Sequence, residues 1–195
     1  MGSVTRNHAP LFFCGEVMKA IGIVGPSGTG KTTLVENLIP EFGRRGLVVS
    51  TIKQARADFA IDHPGKDSDR FRVAGASEVL IASGSRYALM HYGENEQEPT
   101  LTSLMHRLRP VDLVLVEGFR MDDIPKIEVR RLDAPAKKPW LTAPGTIAVA
   151  SDYRPADVVL PRLELNDTGA VAEFILSRLF ESALPIEQGR ELTNA

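Results

Sequence analysis

Cysteine is almost missing from this chain: Cys14 stands alone among 195 residues. A lone cysteine excludes an intrachain disulfide and any metal site built from several thiolates, and it fits a reducing cytoplasm. The four histidines, His8, His63, His91 and His106, show no metal-ligand spacing. No apolar run approaches the roughly 18 residues of a spanning helix, so no membrane partner is expected. An excess of one charge is lacking too. A formal net charge of −2 gives bulk electrostatics no hold on nucleic acid. What remains is an ordinary globular composition, 43% hydrophobic and 25% charged, of a length that suits one domain.

Against these absences one stretch follows a fixed pattern. Gly25-Pro26-Ser27-Gly28-Thr29-Gly30-Lys31-Thr32 matches G-x-x-x-x-G-K-[ST] at every fixed position, between an apolar run, Ala20 to Val24, and an amphipathic run from Thr33. Strand before and helix after is the context in which this motif binds phosphate. The glycines let successive N–H groups turn inward as an anion nest. The helix that follows adds its unpaired first-turn N–H groups and the positive end of its dipole. Lys31 is placed for the β- and γ-phosphates, and the Thr32 hydroxyl for Mg²⁺.

Leu34, Val35, Leu38, Ile39 and Phe42 recur at helical spacing, with Pro40 inside the pattern to kink its last turn. Leu47 to Ile52 reads as a second buried strand ending at Lys53. Residues 54–66 read as a loop, Asp67 to Ala74 as a short helix, and Glu78 to Ala82 with Arg86 to Tyr92 as a hairpin around Ser83-Gly84-Ser85. A helix is expected from Thr100 to Leu108. Strands follow at Lys126 to Arg130, Thr146 to Ala150 and Asp157 to Leu160. A last helix carries Val171, Phe174, Ile175 and Leu179, capped by Asn166 or Asp167. Such alternation predicts an α/β P-loop NTPase fold, a mostly parallel central sheet flanked by helices with a β-hairpin added. Residues 1–17 read as an N-terminal extension, 18–184 as the nucleotide-binding domain and 185–195 as a polar tail.

A second informative stretch is Val111-Asp112-Leu113-Val114-Leu115-Val116-Glu117-Gly118. An acid after an apolar strand sits at the carboxyl edge of the sheet, beside the metal of a bound nucleotide. Asp112 and Glu117 are five steps apart, about 16 Å along a strand, so one alone can serve. Glu117 lies at the loop's edge of the sheet. Asp112 is a strand-start residue facing solvent.

With these stretches in hand, the chain resembles the molybdopterin-guanine dinucleotide biosynthesis protein B (MobB) family, SIMIBI-type P-loop GTP-binding proteins. The residues responsible are Gly25 to Thr32, Phe59 to Ser68, Ala74-Gly75-Ala76, Tyr87 to Met90 and Leu115 to Phe119, within a span of roughly 18–153. The resemblance implies GTP and Mg²⁺ as ligands, weak GTPase activity and a homodimer. It also implies a role as adapter to the guanylyltransferase MobA in attaching GMP to molybdopterin. The family's histidine-rich segment after strand two is replaced by Lys53-Gln54-Ala55-Arg56-Ala57-Asp58, and no D-x-x-G follows the acidic strand. Hydrolysis without a partner is therefore expected to be slow.

The candidate site is then Gly25 to Thr32 with Thr33 and Asp152 for the nucleotide, Thr32, Glu117 and Asp67 for the metal, and Lys31, Glu117 and Asp67 for catalysis. Asp67 has two readings, a metal-side carboxylate that the resemblance favours and a helix cap. Asp152 could accept two hydrogen bonds from guanine or be a surface turn residue. Lys126, Arg130, Arg131, Lys137 and Lys138 around Trp140 read as a solvated charged edge sooner than a basic docking patch. The alternative function is a P-loop small-molecule or nucleotide kinase, although no arginine-rich lid helix is evident.

Overall fold

Ala20-Ile21-Gly22-Ile23-Val24 and Leu113-Val114-Leu115-Val116 have no polar side to offer water, and both become strands covered on two faces. The computed structural model describes residues 12–13, 16–55, 65–92, 98–134, 142–156 and 158–180. In chain order these form β1 (Phe12–Phe13), β2 (Glu16–Val17), β3 (Lys19–Val24), α1 (Lys31–Arg44), β4 (Val49–Lys53), α2 (Asp67–Val73), β5 (Glu78–Ser83) and β6 (Arg86–His91). Then come α3 (Leu101–Met105), β7 (Leu113–Glu117), β8 (Lys126–Arg130), β9 (Thr146–Ser151), β10 (Arg162–Glu164) and α4 (Thr168–Leu179). β1 and β2 make a small antiparallel ribbon inside the segment read as an extension.

Six strands form one sheet in the order β10-β9-β8-β3-β7-β4, every neighbouring pair parallel. This is the expected α/β P-loop NTPase architecture. β3 lies inside the sheet, so the phosphate loop leaves its carboxyl end with β7 on one side and β8 on the other. The chain falls into two compact units, residues 1–54 with 104–195, which hold the sheet, and residues 55–103. In the second, β5 and β6 pair antiparallel through a turn at Gly84-Ser85, the expected hairpin.

Leu34, Leu38 and Phe42 of α1, each four residues from the next, pack with Val171 and Ile175 of α4 onto Ile21, Ile23, Leu113, Leu115, Ile127 and Val129. α1 continues past Pro40, which is exposed on its outer side. Asp167, and not Asn166, caps α4, its carboxylate accepting from the Ala170 amide at 2.9 Å. The last strand departs from expectation. It runs Arg162–Glu164, while 158–160 form no strand and Asp157 lies outside the described residues.

Arg45 ties α1 to α4, pairing with buried Glu41 on its own helix and Glu173 on the other. The hydrogen bond from Arg45 holds the Glu41 carboxyl below its ordinary 4.5, with Arg44 assisting and burial opposing. A depressed carboxyl stabilises the fold above the ordinary value and stops doing so as pH falls through the lowered one. Melting temperature should therefore drop on acidification below about pH 4.5, and less steeply in Arg45→Met. Parallel pH profiles for the two proteins would disprove this role.

The opposite face of β8 corrects the reading of Lys126 and Arg130 as part of a solvated charged edge. Strand alternation sends Ile127 and Val129 to the α1 side, so Lys126, Glu128 and Arg130 share the other face. Lys126 and Glu128 are fully buried. The Lys126 ammonium donates to the carbonyls of Asp122, Ile124 and Pro144, and Arg130 is paired with Glu128. Neither cation belongs to a surface patch. Lys137, Lys138 and Trp140 lie outside the described residues.

Candidate nucleotide site

Backbone shape comes first. At Gly25 φ is +148°, and a Cβ there would stand 2.4 Å from the Val129 carbonyl oxygen, so any side chain would push β8 away from the loop. Gly30 has φ +91° and stands immediately before the first turn of α1. Pro26 is partly buried, while Ser27 and Gly28 form the exposed crest. Thr29 is buried, and its hydroxyl donates to the Pro26 carbonyl at 3.0 Å, closing the loop on itself. Lys31 donates to the same carbonyl at 2.7 Å. Thr32 and Thr33 are exposed in the first turn of α1.

Beside the loop three side chains meet. The Thr32 hydroxyl lies 3.1 and 3.0 Å from the two carboxylate oxygens of Glu117. The Lys53 ammonium lies 3.3 Å from both Thr32 Oγ1 and Glu117 Oε2. Sheet register explains the meeting, since Lys53 and Glu117 are partners at the carboxyl ends of β4 and β7. A hydroxyl and a carboxylate already sharing one cation are hard oxygen donors of the kind that hold Mg²⁺ when substrate phosphates complete its shell. Among the described residues no cluster of three or more His, Cys, Asp or Glu side chains could hold a metal by itself. Burial lowers the Lys31 pKa from its ordinary value, Glu117 opposing and Lys53 assisting.

The chain turns sharply after Glu117. Phe119 has φ +49°, the one non-glycine positive φ among the described residues, and its amide is held at 2.8 Å by the Gln54 side chain. A left-handed phenylalanine costs about 1–2 kcal/mol. Gln54 thereby fixes the strand end that presents Glu117.

The remaining expected residues lie on other elements. Asp112 begins the strand on the solvent side, as expected, and accepts from the Val48 amide at 2.7 Å. Asp67 is the first residue of α2 in the second unit, with an exposed carboxylate 3.5 Å from Arg70. It is not the cap of that helix, because Lys66 holds the N-cap position. Asp152 follows β9 directly and accepts from the Leu132 amide at 2.9 Å. Lys53 and Arg131, beside the loop on its two sides, were missed by sequence reasoning. The position of each at or just past the carboxyl end of a parallel strand was the available signal.

A glycine-rich loop between the central strand of a parallel sheet and a helix, with a strand-end carboxylate facing the first-turn threonine, defines a P-loop NTPase. The profile of the family described as "Molybdopterin guanine dinucleotide synthesis protein B" matches residues 20–152. The chain belongs to the MobB family. It is 40% identical over 153 residues, 77% of this chain and 87% of the relative, to the molybdopterin-guanine dinucleotide biosynthesis adapter protein of Escherichia coli K12. It is 37% identical over 167 residues, 85% of this chain and 92% of the relative, to the Haemophilus influenzae protein of the same name. A crystal structure described as molybdopterin-guanine biosynthesis protein B superposes with a TM-score of 0.61 at 28% identity, covering 82% of this chain and 99% of that one.

Proposed function

We propose that this chain is an adapter in molybdopterin-guanine dinucleotide biosynthesis that binds GTP with Mg²⁺, hydrolyses it weakly, and assists the guanylyltransferase MobA in attaching GMP to molybdopterin. The observation that carries the nucleotide reading is the meeting of Thr32, Glu117 and Lys53 beside the loop. The adapter reading is supported by extensive identity to relatives that bear that description. Mg²⁺ at Thr32 and Glu117 would neutralise charge on the β- and γ-phosphates. Lys31 and the loop amides hold the phosphates, and Glu117-Gly118 in place of D-x-x-G favours slow turnover.

A homodimer and a cytoplasmic location complete the proposal. Leu80, Leu89 and Tyr87 share one face of the β5–β6 hairpin and are all exposed, an apolar row that a second copy would cover. Among the described residues no helix is long and apolar enough to cross a membrane.

The test is a titration of the full chain with GTP and ATP, with and without Mg²⁺, followed by phosphate release with and without MobA. Tighter binding of GTP than ATP, strengthened by Mg²⁺, is expected. Equal affinities, or none, would remove the nucleotide assignment. Asp67→Ala belongs in the same series, and unchanged Mg²⁺-dependent binding there would take Asp67 out of the site.

A further inference from the structure

The sheet order gives the loop two unlike sides. Toward β7 and β4 stand Glu117 and Lys53, meeting Thr32. A triphosphate whose β- and γ-oxygens share a cation there lies with its α-phosphate and nucleoside toward β8 and β9. On that side Arg131 stands one residue past β8 and Asp152 one residue past β9.

Gly30 is where the guanidinium of Arg131 meets the loop. A Cβ on Gly30 would lie 3.3 Å from Arg131 Nη2 and 3.8 Å from Cζ and Nε, so the missing side chain lets the cation rest against loop backbone. Arg131 Nε is buried and has no hydrogen-bond partner, and the nearest carboxylate oxygen, Asp152 Oδ2, is 4.0 Å away. Asp152 spends its other oxygen on the Leu132 amide, inside the turn closed by the Ala134 amide and the Arg131 carbonyl. The carboxylate thus aims the guanidinium without satisfying it. The Arg131 side chain remains 39% exposed, with its planar fork of donors free to take two oxygens of one phosphate.

We propose that Arg131 is a nucleotide contact, taking the α-phosphate of the nucleoside di- or triphosphate held by the loop, and that Asp152 is a positioning residue for it and does not read the base. This rests on the nucleotide-binding reading above and adds to it the residue that grips the nucleoside end. At 4.0 Å and partly exposed, the Arg131–Asp152 pair contributes little to stability.

The experiment measures binding of GTP, GDP and XDP at fixed Mg²⁺ to the full chain and to Arg131→Ala, Arg131→Lys, Asp152→Asn and the double variant Arg131→Ala/Asp152→Asn. Arg131→Ala should weaken GTP and GDP by the same factor, about tenfold or more for a lost charge-assisted contact. Arg131→Lys, which keeps the charge and guards against misfolding, should recover part of the loss. Asp152→Asn should weaken binding less, add nothing in the Arg131→Ala background, and leave the preference for GDP over XDP intact. Wild-type affinity in Arg131→Ala would overturn the proposal while leaving nucleotide binding in place. A loss for GTP but not GDP would move the contact to the γ-phosphate and overturn it as stated. A switch toward XDP in Asp152→Asn would make Asp152 a base reader and overturn its positioning role. If the wild-type chain held no guanine nucleotide, the underlying reading would fail first.

Discussion

Lys31→Ala should leave a folded protein that has lost its nucleotide, with GTP affinity reduced at least about 100-fold. Two charge-assisted hydrogen bonds, to the β- and γ-phosphates, are each worth about 1.5–3 kcal/mol. Together they correspond to roughly 100-fold or more in Kd, at 1.4 kcal/mol per factor of ten. The fold should survive because the Pro26 carbonyl that Lys31 contacts also accepts from the Thr29 hydroxyl, so no acceptor is orphaned. Removing a partly desolvated ammonium also relieves its desolvation cost and its repulsion from Lys53, against the loss of its attraction to Glu117. Calorimetric titration with GTP, alongside thermal melting, separates binding from stability. Unaltered affinity in a protein of unaltered melting temperature would show that the loop does not hold phosphate in the way its sequence demands.

Lys126→Met should have the opposite profile, costing stability first. The substitution keeps an unbranched chain of similar length but removes the donor shared by the carbonyls of Asp122, Ile124 and Pro144, with two of these bonds at 2.9 and 2.8 Å. Each carbonyl left dry costs about 1–3 kcal/mol, partly offset by no longer burying an ammonium. Burial already pushes the Lys126 pKa down, Asp122 and Asp123 opposing it, which records that desolvation cost. The balance is a loss of about 3 kcal/mol, or a fall in Tm of roughly 6–12 °C for a chain of this size. Differential scanning calorimetry of the two proteins without nucleotide is the check. A change of less than a degree would mean that the carbonyls find other donors.

The parts legible in the sequence were those governed by local rules. The loop, the stripe of α1 and the apolar runs of β3 and β7 each carry a spacing or run that only one kind of element satisfies. Glu117 was legible because strand length alone decides between it and Asp112. Lys126 was misread because a lysine in a short strand looks solvent-facing until three carbonyls are seen to surround it. That arrangement joins residues up to 18 apart in the chain. Arg131 and Lys53 were hidden for a related reason. Their relation to the loop comes from sheet order, which brings together strands separated by the second unit. The last strand was misplaced by a few residues because Asp157 to Leu160 is the more apolar and β-branched run, whereas pairing with β9 selects the charged Arg162 to Glu164.

Sheet order also dictates when the protein can assemble during synthesis. β3 is made early, yet its ladder partners are β7 and β8, which begin at Leu113 and Lys126. Until those strands leave the ribosome, an apolar strand and the glycine loop behind it have no neighbour to hold their shape. Parallel pairings at such separation fold slowly and expose sticky edges meanwhile. A nucleotide bound at the loop, as proposed, would therefore stabilise the fold only after most of the chain has emerged. Stalled or truncated nascent chains ending before Lys126 should accordingly depend on chaperones, whatever the nucleotide concentration around them.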